Sequence, residues 1–503
     1  MKSKPKIFTV VPEDEFVDRE RILDILYTNA LDAAREASNN TFIIGRRRIG
    51  KSAILTRLYD KLFFEQDIVV PFYFTFENLA SYFGNYFAES YFTSFVSQYL
   101  AFKKKDVLII DELTDLNIAY NLAQEINDSG LIHILKSYLN AKKSKSLFKM
   151  LNIAIGGPRM VSNINQSPIC AIVDEFQNIL KIVDRDGSPL NLQGLYQFGV
   201  EGTYCPHFVS GSAVSIIMKE ILTRGALVGR FGIERVDKLE LEYALELGRR
   251  LSKKYKFELP EEQNIYLANY TEGLPYYINR ILYAVYKSGE KLVNEEVLSE
   301  AISRELTHGT IYNDLEGQIL DYAERNDLNI VRSVLYFAAN YEEERIDPGA
   351  IAKKLKVSEI KVSKTLSQMA RADLIFETNA NLHFNIDDPV MRQFLKNQYV
   401  REIMKIPPDT LEYEETLKLK KQLNDLQRIN GILIESHIKL LMVYWDNRIV
   451  NGNLFGIEGN IKLPKFERIF STKVKPPKSK EYQIDSLAAY TENKISKAWI
   501  GES

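Results

Sequence analysis

The sequence predicts an α/β domain with a parallel sheet, followed by a helical region and two smaller regions. Over roughly the first 240 residues, apolar runs suited to buried strands alternate with helical patterns, as is typical of a parallel sheet covered by helices. The predicted strands lie at Thr41–Gly45, Ile68–Phe76, Ile169–Asp174, His207–Gly211 and Val236–Leu241. The pattern becomes helical from Glu242, and after Asn326 helices precede a short strand-turn-strand. The 503 residues therefore divide into four predicted regions, at 1–241, 242–325, 326–400 and 401–503.

The composition is that of an ordinary globular protein. Hydrophobic residues make up 45% and charged residues 26%, and the net charge is -2, so any contact with nucleic acid must come from a local basic patch. The two cysteines, Cys170 and Cys205, form no CxxC pair, which argues against a disulfide framework or a zinc module. The N-terminus lacks the apolar core of a signal peptide, and no apolar run approaches the ~20 residues of a membrane helix. We therefore expect a cytoplasmic protein without membrane contact.

The segment GRRRIGKS, from Gly45 to Ser52, fits the phosphate-binding pattern GxxxxGK[ST] in full. An apolar strand precedes it and a helical pattern follows it, which is the context that this loop requires. Its glycines let backbone N–H groups surround an anion at a helix N-terminus, with Gly45, Gly50 and Ala53 lining the site. Lys51 is predicted to reach the β and γ phosphates, and the Ser52 hydroxyl to ligate Mg²⁺. The guanine-specific signature N/T-K-x-D is absent from a suitable place, so the expected nucleotide is ATP.

Two acidic residues at the ends of apolar runs are candidates for a second Mg²⁺ ligand. They are Asp111 in VLIIDEL and Asp174 in CAIVDEFQNI. A further strand follows Asp174 after a gap that holds one helix, as parallel pairing requires, whereas Asp111 has no such partner. Asp174 is therefore predicted to hold Mg²⁺, and Glu175 to act as the general base that orients the attacking water. For Asp111 and Glu112 we expect a strand end or a helix cap.

Six spaced motifs carry a family resemblance: EFVDRERIL, GRRRIGKS, IVDEFQNI, VSGSAVSIIMKEI, GALVGRFG and YTEGLPYYINRI. In this order they resemble the archaeal-type ATPases of the STAND branch of AAA+-like P-loop proteins, over about residues 14 to 400. The resemblance implies an ASCE-type P-loop NTPase core with a parallel sheet, in which the Walker B strand lies beside an inserted strand. It also implies a helical lid and a winged helix-turn-helix domain.

The resemblance also assigns residues by position. Phe16, Arg19 and Glu20 match an N-terminal motif near the nucleotide, and Ser210 and Ser212 match a polar sensor of the γ-phosphate. Gly273 and Pro275 match a lid element that touches the base, although GLP also suits a plain helix-breaking turn.

Two further assignments concern arginines. Arg230 matches an arginine that can stabilise the transferred phosphoryl group. Whether it acts in cis or on a neighbouring subunit stays open, and so does a purely structural ion pair. Arg46, Arg47 and Arg48 are not predicted to be catalytic and are expected to face water or a partner subunit.

Three helical pieces and a hairpin after Asn326 match a winged helix-turn-helix. Asp347 is the predicted N-cap of the second helix, with Pro348 at its first position, and Ser358 caps the third. Three residues of the third helix are expected to face the core, and four are available outside to contact double-stranded DNA: Ile360, Leu366 and Met369, and Lys361, Lys364, Gln368 and Arg371. The acidic segments YEEER and NIDDP weaken the case for DNA, and a protein-binding role remains the alternative.

Many members of the resembled family carry a C-terminal PD-(D/E)xK-like nuclease domain. Glu435, Asp485 and Glu502 match its acids loosely, Gln483 replaces one acid, and the expected lysine would follow Ser503. We expect an incomplete α/β domain at 401–503, as a fragment or a degenerate nuclease, with a plain accessory domain as the alternative.

The predicted function is that of an Mg²⁺-dependent, ATP-hydrolysing switch that binds DNA through its winged helix, with homo-oligomers left open. One alternative is a nucleotide-gated protein scaffold that binds no DNA. The other is an ATPase that regulates a C-terminal nuclease.

Overall fold

The structure is a computed structural model that forms two compact units, 1–412 and 413–503. It describes residues 6–212, 217–222, 225–323, 328–340, 346–371, 374–378, 383–386, 388–403, 419, 421, 442, 447–451, 458–474, 482–492 and 495–501.

A five-stranded parallel sheet forms the centre of the first unit. Its strands are β1 (Thr41–Ile44), β2 (Val70–Thr75), β3 (Ile169–Asp174), β4 (His207–Gly211) and β5 (Gly232–Arg235), in the order β2-β3-β4-β1-β5. Every residue of β1, β3 and β4 is buried, which explains why these strands are rich in apolar residues and do not alternate with polar ones. The predicted parallel sheet is confirmed. Because β4 lies between β1 and β3 and all three are parallel, the loops that follow them meet at one edge of the sheet, which is formed by the carboxyl-terminal ends of the strands.

The predicted fifth strand, Val236–Leu241, is wrong in position. The strand is β5, and only the backbone N–H of Val236 continues its ladder, by donating to the Ile44 carbonyl (2.9 Å). As an edge strand, β5 leaves its side chains exposed or half-buried. It therefore lacks the apolar run by which buried strands are recognised.

Eight α-helices accompany the sheet in residues 6–212. They are α1 (Glu20–Leu31), α2 (Lys51–Glu65), α3 (Gly84–Lys104), α4 (Leu108–Glu112), α5 (Leu116–Glu125), α6 (Ser129–Lys143), α7 (Leu147–Asn165) and α8 (Gln193–Val200). Five of them, α3 to α7, lie between β2 and β3. Asp111 and Glu112 therefore belong to the single-turn helix α4 and not to a strand end. Periodicity alone cannot separate a short apolar strand from a short apolar helical turn, and none of the residues of α4 is buried.

The residues after the sheet are helical, as predicted, and then form a hairpin. The elements are α9 (Leu241–Tyr255), α10 (Glu261–Tyr270), α11 (Pro275–Ser288), α12 (Glu295–Thr307), α13 (Thr310–Ala323), α14 (Leu328–Ala339), α15 (Pro348–Leu355), α16 (Glu359–Arg371), β6 (Phe376–Thr378), β7 (His383–Asn385) and α17 (Pro389–Gln398). The predicted caps are present, since Asp347 accepts from the Gly349 N–H (2.8 Å) and Ser358 from the Lys361 N–H (3.3 Å). The identification of this region as a winged helix stays a prediction. Among the described residues, no helix has the length and apolar content to cross a bilayer.

Helix α16 buries Val362, Leu366 and Met369, while Lys361 and Lys364 are exposed and Gln368 is half-buried. The prediction that Ile360 faces the core is wrong, because its side chain is 82% exposed. Residues 362, 366 and 369 follow the helical repeat, and a residue two positions before 362 points to the opposite side.

The described part of the second unit contains two small antiparallel sheets. Strands β8 (Ile449–Asn451) and β9 (Asn460–Lys462) form one, and β10 (Arg468–Val474), β11 (Tyr482–Glu492) and β12 (Ile495–Gly501) form the other.

Candidate active site

The phosphate loop connects β1 to α2, as its sequence predicts. Gly50 is the N-cap of α2 and has a φ of 104°, which strongly favours glycine. A Cβ atom on Gly45 would lie 2.5 Å from the carbonyl oxygen of Val236, so the strand-to-loop junction has no room for a side chain. Both glycines are therefore required by the backbone of this loop.

Lys51 is the first residue of α2 and its side chain is buried. Its ammonium group donates hydrogen bonds to the carbonyl oxygens of Gly45 (2.8 Å) and Arg46 (2.7 Å). This places a fixed positive charge in the bend of the loop, at a helix N-terminus that already favours anions. Ser52 is exposed and Ala53 half-buried on the same turn. The geometry suits a phosphate group.

Asp174 ends β3 and is almost completely buried. Its Oδ1 accepts hydrogen bonds from the Ser210 hydroxyl and from the Glu175 N–H (3.0 Å), and the Tyr73 hydroxyl lies 3.4 Å from its Oδ2. Ser210 thus contacts the predicted metal-binding carboxylate.

Glu175 follows directly, with its backbone in the left-handed region (φ 53°). Its carboxylate is half-buried, and Oε2 accepts hydrogen bonds from the Ser212 hydroxyl (3.0 Å) and from the Gln177 amide. Ser212 contacts the predicted general base, and its role as a sensor of the nucleotide stays a prediction. The sequence assigned no role to Gln177, although Gln177 lies in the motif IVDEFQNI together with Glu175.

A third carboxylate was also missed. Glu77 lies just after β2, the strand next to β3, and partial burial followed by the charges of Glu175 and Asp174 raises its pKa, while Arg47 opposes the shift. The sequence could have indicated Glu77, because it directly follows the predicted strand Ile68–Phe76. The edge therefore carries three acidic side chains close to one another.

Arg19 lies at the junction of the N-terminal segment and the phosphate loop. Its buried guanidinium donates to the carbonyl oxygens of Asp237 (2.6 Å) and Ile49 (3.4 Å), the latter in the loop itself. Burial lowers the pKa of Arg19, and neighbouring Asp18 opposes that shift. The Arg19 N–H donates to the Glu20 carboxylate (2.9 Å), and Phe16 is buried beneath the Arg57 guanidinium (4.2 Å from the ring centroid). The structure thus places Arg19 against the loop.

Comparison with known families decides the identity of this chain. Residues 16–281, more than half of the 503, match a family described as an ATPase domain predominantly from Archaea. The chain belongs to this family. It is an ATPase, and it binds ATP.

Two individual proteins resemble this ATPase. An uncharacterized ATP-binding protein of Methanocaldococcus jannaschii is 24% identical over 348 residues, which cover 66% of this chain and 89% of the relative. The solved structure of a Walker-type ATPase of Pyrococcus abyssi is 17% identical, with a TM-score of 0.50 over 78% of this chain and 99% of that one. The second likeness concerns the fold alone.

Arg48 of the ATPase connects the phosphate loop to the helices that follow the sheet. Its side chain is 12% exposed, pairs with Asp314 of α13 (2.7 Å) and donates to the Tyr277 hydroxyl of α11 (3.0 Å). It also lies over the rings of Tyr276 and Tyr277, at 4.9 and 5.7 Å from their centroids. Tyr277 in turn donates to Asp388, the N-cap of α17 (2.7 Å). The expectation that Arg48 faces water or a partner subunit is therefore wrong.

The predicted lid element begins α11, with Pro275 as the first helical residue. The Gly273 carbonyl accepts from the Leu239 N–H (3.0 Å). At this end of the helix, the two tyrosines after Pro275 are the residues that contact the phosphate loop. A role of Pro275 at the base stays a prediction.

Arg230 lies at the amino-terminal ends of the parallel strands, whereas the phosphate loop lies at their carboxyl-terminal ends. Its carbonyl accepts from the amide of Asn40, the residue before β1, and its guanidinium pairs with Glu201 (2.8 Å). The length of β1 separates it from the loop, roughly 15 Å at ~3.3 Å per residue. A catalytic role of Arg230 in cis is therefore wrong for this structure. The ion pair is present, and action on a neighbouring subunit stays a prediction.

Of the acids predicted for a nuclease, only Asp485 falls on a described element. It lies in β11 with Gln483, which pairs with Lys473 of β10. Glu435 and Glu502 lie outside the described residues, so the nuclease stays a prediction.

Proposed function

We propose that this ATPase is an Mg²⁺-dependent switch in which the nucleotide state of the phosphate loop controls DNA binding by α15 and α16. Lys51 stabilises the negative charge on the β and γ phosphates. Glu175 orients the attacking water and accepts its proton. The observation that carries the switch is the contact of Arg48 with α11 and α13.

Ser52 and Asp174 are the residues that would hold Mg²⁺. A serine hydroxyl and a carboxylate are hard oxygen donors, and two protein ligands suit an ion that takes its other ligands from water and phosphate. When bound, the ion would neutralise charge on the phosphates.

The helical region is coupled to the loop through one buried cation. Arg48 has a φ of 65°, and its guanidinium holds Asp314 and two tyrosine rings. A change in loop backbone on phosphate binding would move this group, and with it the contacts to α11, α13 and, through Tyr277, α17. A ligand shifts such an equilibrium only through contacts that differ between the two states, and Arg48 supplies them.

We expect Arg48→Ala to uncouple the helices from the nucleotide. Amide hydrogen exchange in wild type should differ between nucleotide-free and ATP-bound protein in α11, α13 and α17. In Arg48→Ala that difference should fall at least threefold, whereas Arg47→Ala, which removes an exposed arginine of the same loop, should retain it. An unchanged difference in Arg48→Ala would refute the coupling.

The DNA-binding proposal rests on charge. Helices α15 and α16 with their flanking cap residues carry exposed lysines at five positions against two exposed acids, Asp347 and Glu359, so this segment is locally basic in a chain of net charge -2. The five are Lys353, Lys354, Lys356, Lys361 and Lys364. Lysines on a helix-turn-helix suit contacts to backbone phosphates, which position the protein without selecting a sequence.

Anisotropy titrations of a labelled duplex across salt concentrations test this. The double variant Lys361→Ala/Lys364→Ala should lower the slope of log affinity against log salt by about 2, since each phosphate contact contributes ~0.9. A charge-matched control, Lys253→Ala/Lys256→Ala at the end of α9, should leave the slope unchanged. Absence of duplex binding by wild type at low salt would leave the protein scaffold as the better proposal.

A further inference from the structure

Gln177 lies in the turn Phe176–Lys181 that follows Glu175, and its side chain is 7% exposed. Its Nε2 donates hydrogen bonds to the Oε2 of Glu175 and to the hydroxyl of Ser212 (3.3 Å). Ser212 itself donates to the same Oε2 (3.0 Å). The three side chains form a closed triangle, with the Glu175 carboxylate as the acceptor of two donors.

Gly211, which has no side chain, provides the space that the Gln177 amide occupies. A Cβ atom on Gly211, the last residue of β4, would lie 2.5 Å from the Oε1 of Gln177. That oxygen is buried and has no hydrogen-bond partner among the described residues. A buried acceptor without a partner is costly, so packing alone does not explain a glutamine here. The two hydrogen bonds that Nε2 donates therefore explain why a glutamine occupies this position.

We propose that Gln177 is the positioning residue for Glu175, a refinement that rests on the proposed role of Glu175 as general base. By holding Oε2, Gln177 and Ser212 fix the rotation of the carboxylate and leave Oε1 as the oxygen that accepts from the attacking water. A displacement of about 1 Å in a catalytic group costs on the order of 10²-fold in rate. Gln177 therefore acts on the rate through Glu175.

The test replaces Gln177 by methionine, which has a similar length and no donor. We expect kcat to fall about 10–100-fold while the Kd for ATP and the KM stay within twofold of wild type. Gln263→Met is the matched control, since Gln263 is equally buried in α10 and also has an unpartnered Oε1 in the described structure.

A double-mutant cycle with Glu175→Gln separates the possible outcomes. If Gln177 acts through Glu175, Gln177→Met should add less than threefold to the loss caused by Glu175→Gln. A fully multiplicative loss overturns the proposal, and so does a kcat of Gln177→Met within threefold of wild type. A parallel loss of ATP affinity and melting temperature assigns Gln177 a structural role and also overturns it. Wild-type turnover in Glu175→Gln alone instead refutes the proposed role of Glu175.

Discussion

Glu175→Gln should bind ATP with wild-type affinity and hydrolyse it about 10²–10⁴-fold more slowly, the range contributed by a general base. The substitution keeps the size of the side chain and an oxygen that can accept from Ser212 and Gln177, so the turn after β3 should keep its conformation. What it removes is the charge that attracts the proton of the attacking water. Single-turnover hydrolysis at saturating ATP, with the Kd measured separately, isolates that step.

The matched control is Glu112→Gln, because Asp111 and Glu112 form the other Asp-Glu pair that follows an apolar run. The structure places them in α4, among the helices between β2 and β3, and we expect wild-type turnover from this variant. If Glu112→Gln were the impaired variant and Glu175→Gln were not, the acidic edge formed by β2 and β3 would not be the site of hydrolysis.

The sequence predicts those parts of the site whose structure depends on residues close together along the chain. The phosphate loop is eight consecutive residues whose backbone conformation depends on its own glycines. Asp174 was separable from Asp111 because parallel strands require a connecting helix, and the spacing to β4 supplies room for α8. Such arguments need no knowledge of distant contacts.

Long-range contacts explain what the sequence did not predict. Arg48 meets Tyr277, 229 positions later, and nothing in the loop sequence selects that partner over water. Arg230 was assigned a role at the phosphoryl group by its place after a loop. The register of β5 on β1 instead puts it at the amino-terminal ends of the strands, away from the phosphate loop. Gln177 could have been noticed beside Glu175, yet its value depends on Gly211, which ends β4 and has no side chain, and on Ser212, which follows it.

Lys51→Ala should remove ATP binding as well as turnover, which distinguishes it from Glu175→Gln. The ammonium group lies in the bend of the loop, so we expect it to contact phosphate in the bound state as well as in the transition state. Loss of one such charged donor costs about 10²–10³-fold in rate where it acts on the transition state. We expect ATP affinity to fall about 100-fold and kcat/KM by at least 10³-fold.

Thermal stabilisation by ATP and Mg²⁺ measures this without relying on hydrolysis. At a ligand concentration 100 times the wild-type Kd, binding stabilises the wild type by about 2.7 kcal/mol, whereas a variant with 100-fold weaker affinity gains only ~0.4 kcal/mol. Lys61→Ala is the control on the same helix, because the Lys61 ammonium pairs with Asp24 (2.8 Å) at the surface. It should keep the full ATP-dependent shift. If Lys51→Ala kept it too, the phosphates would bind away from Gly45–Ser52. The acids at the edge of the sheet would then have no phosphate to act on.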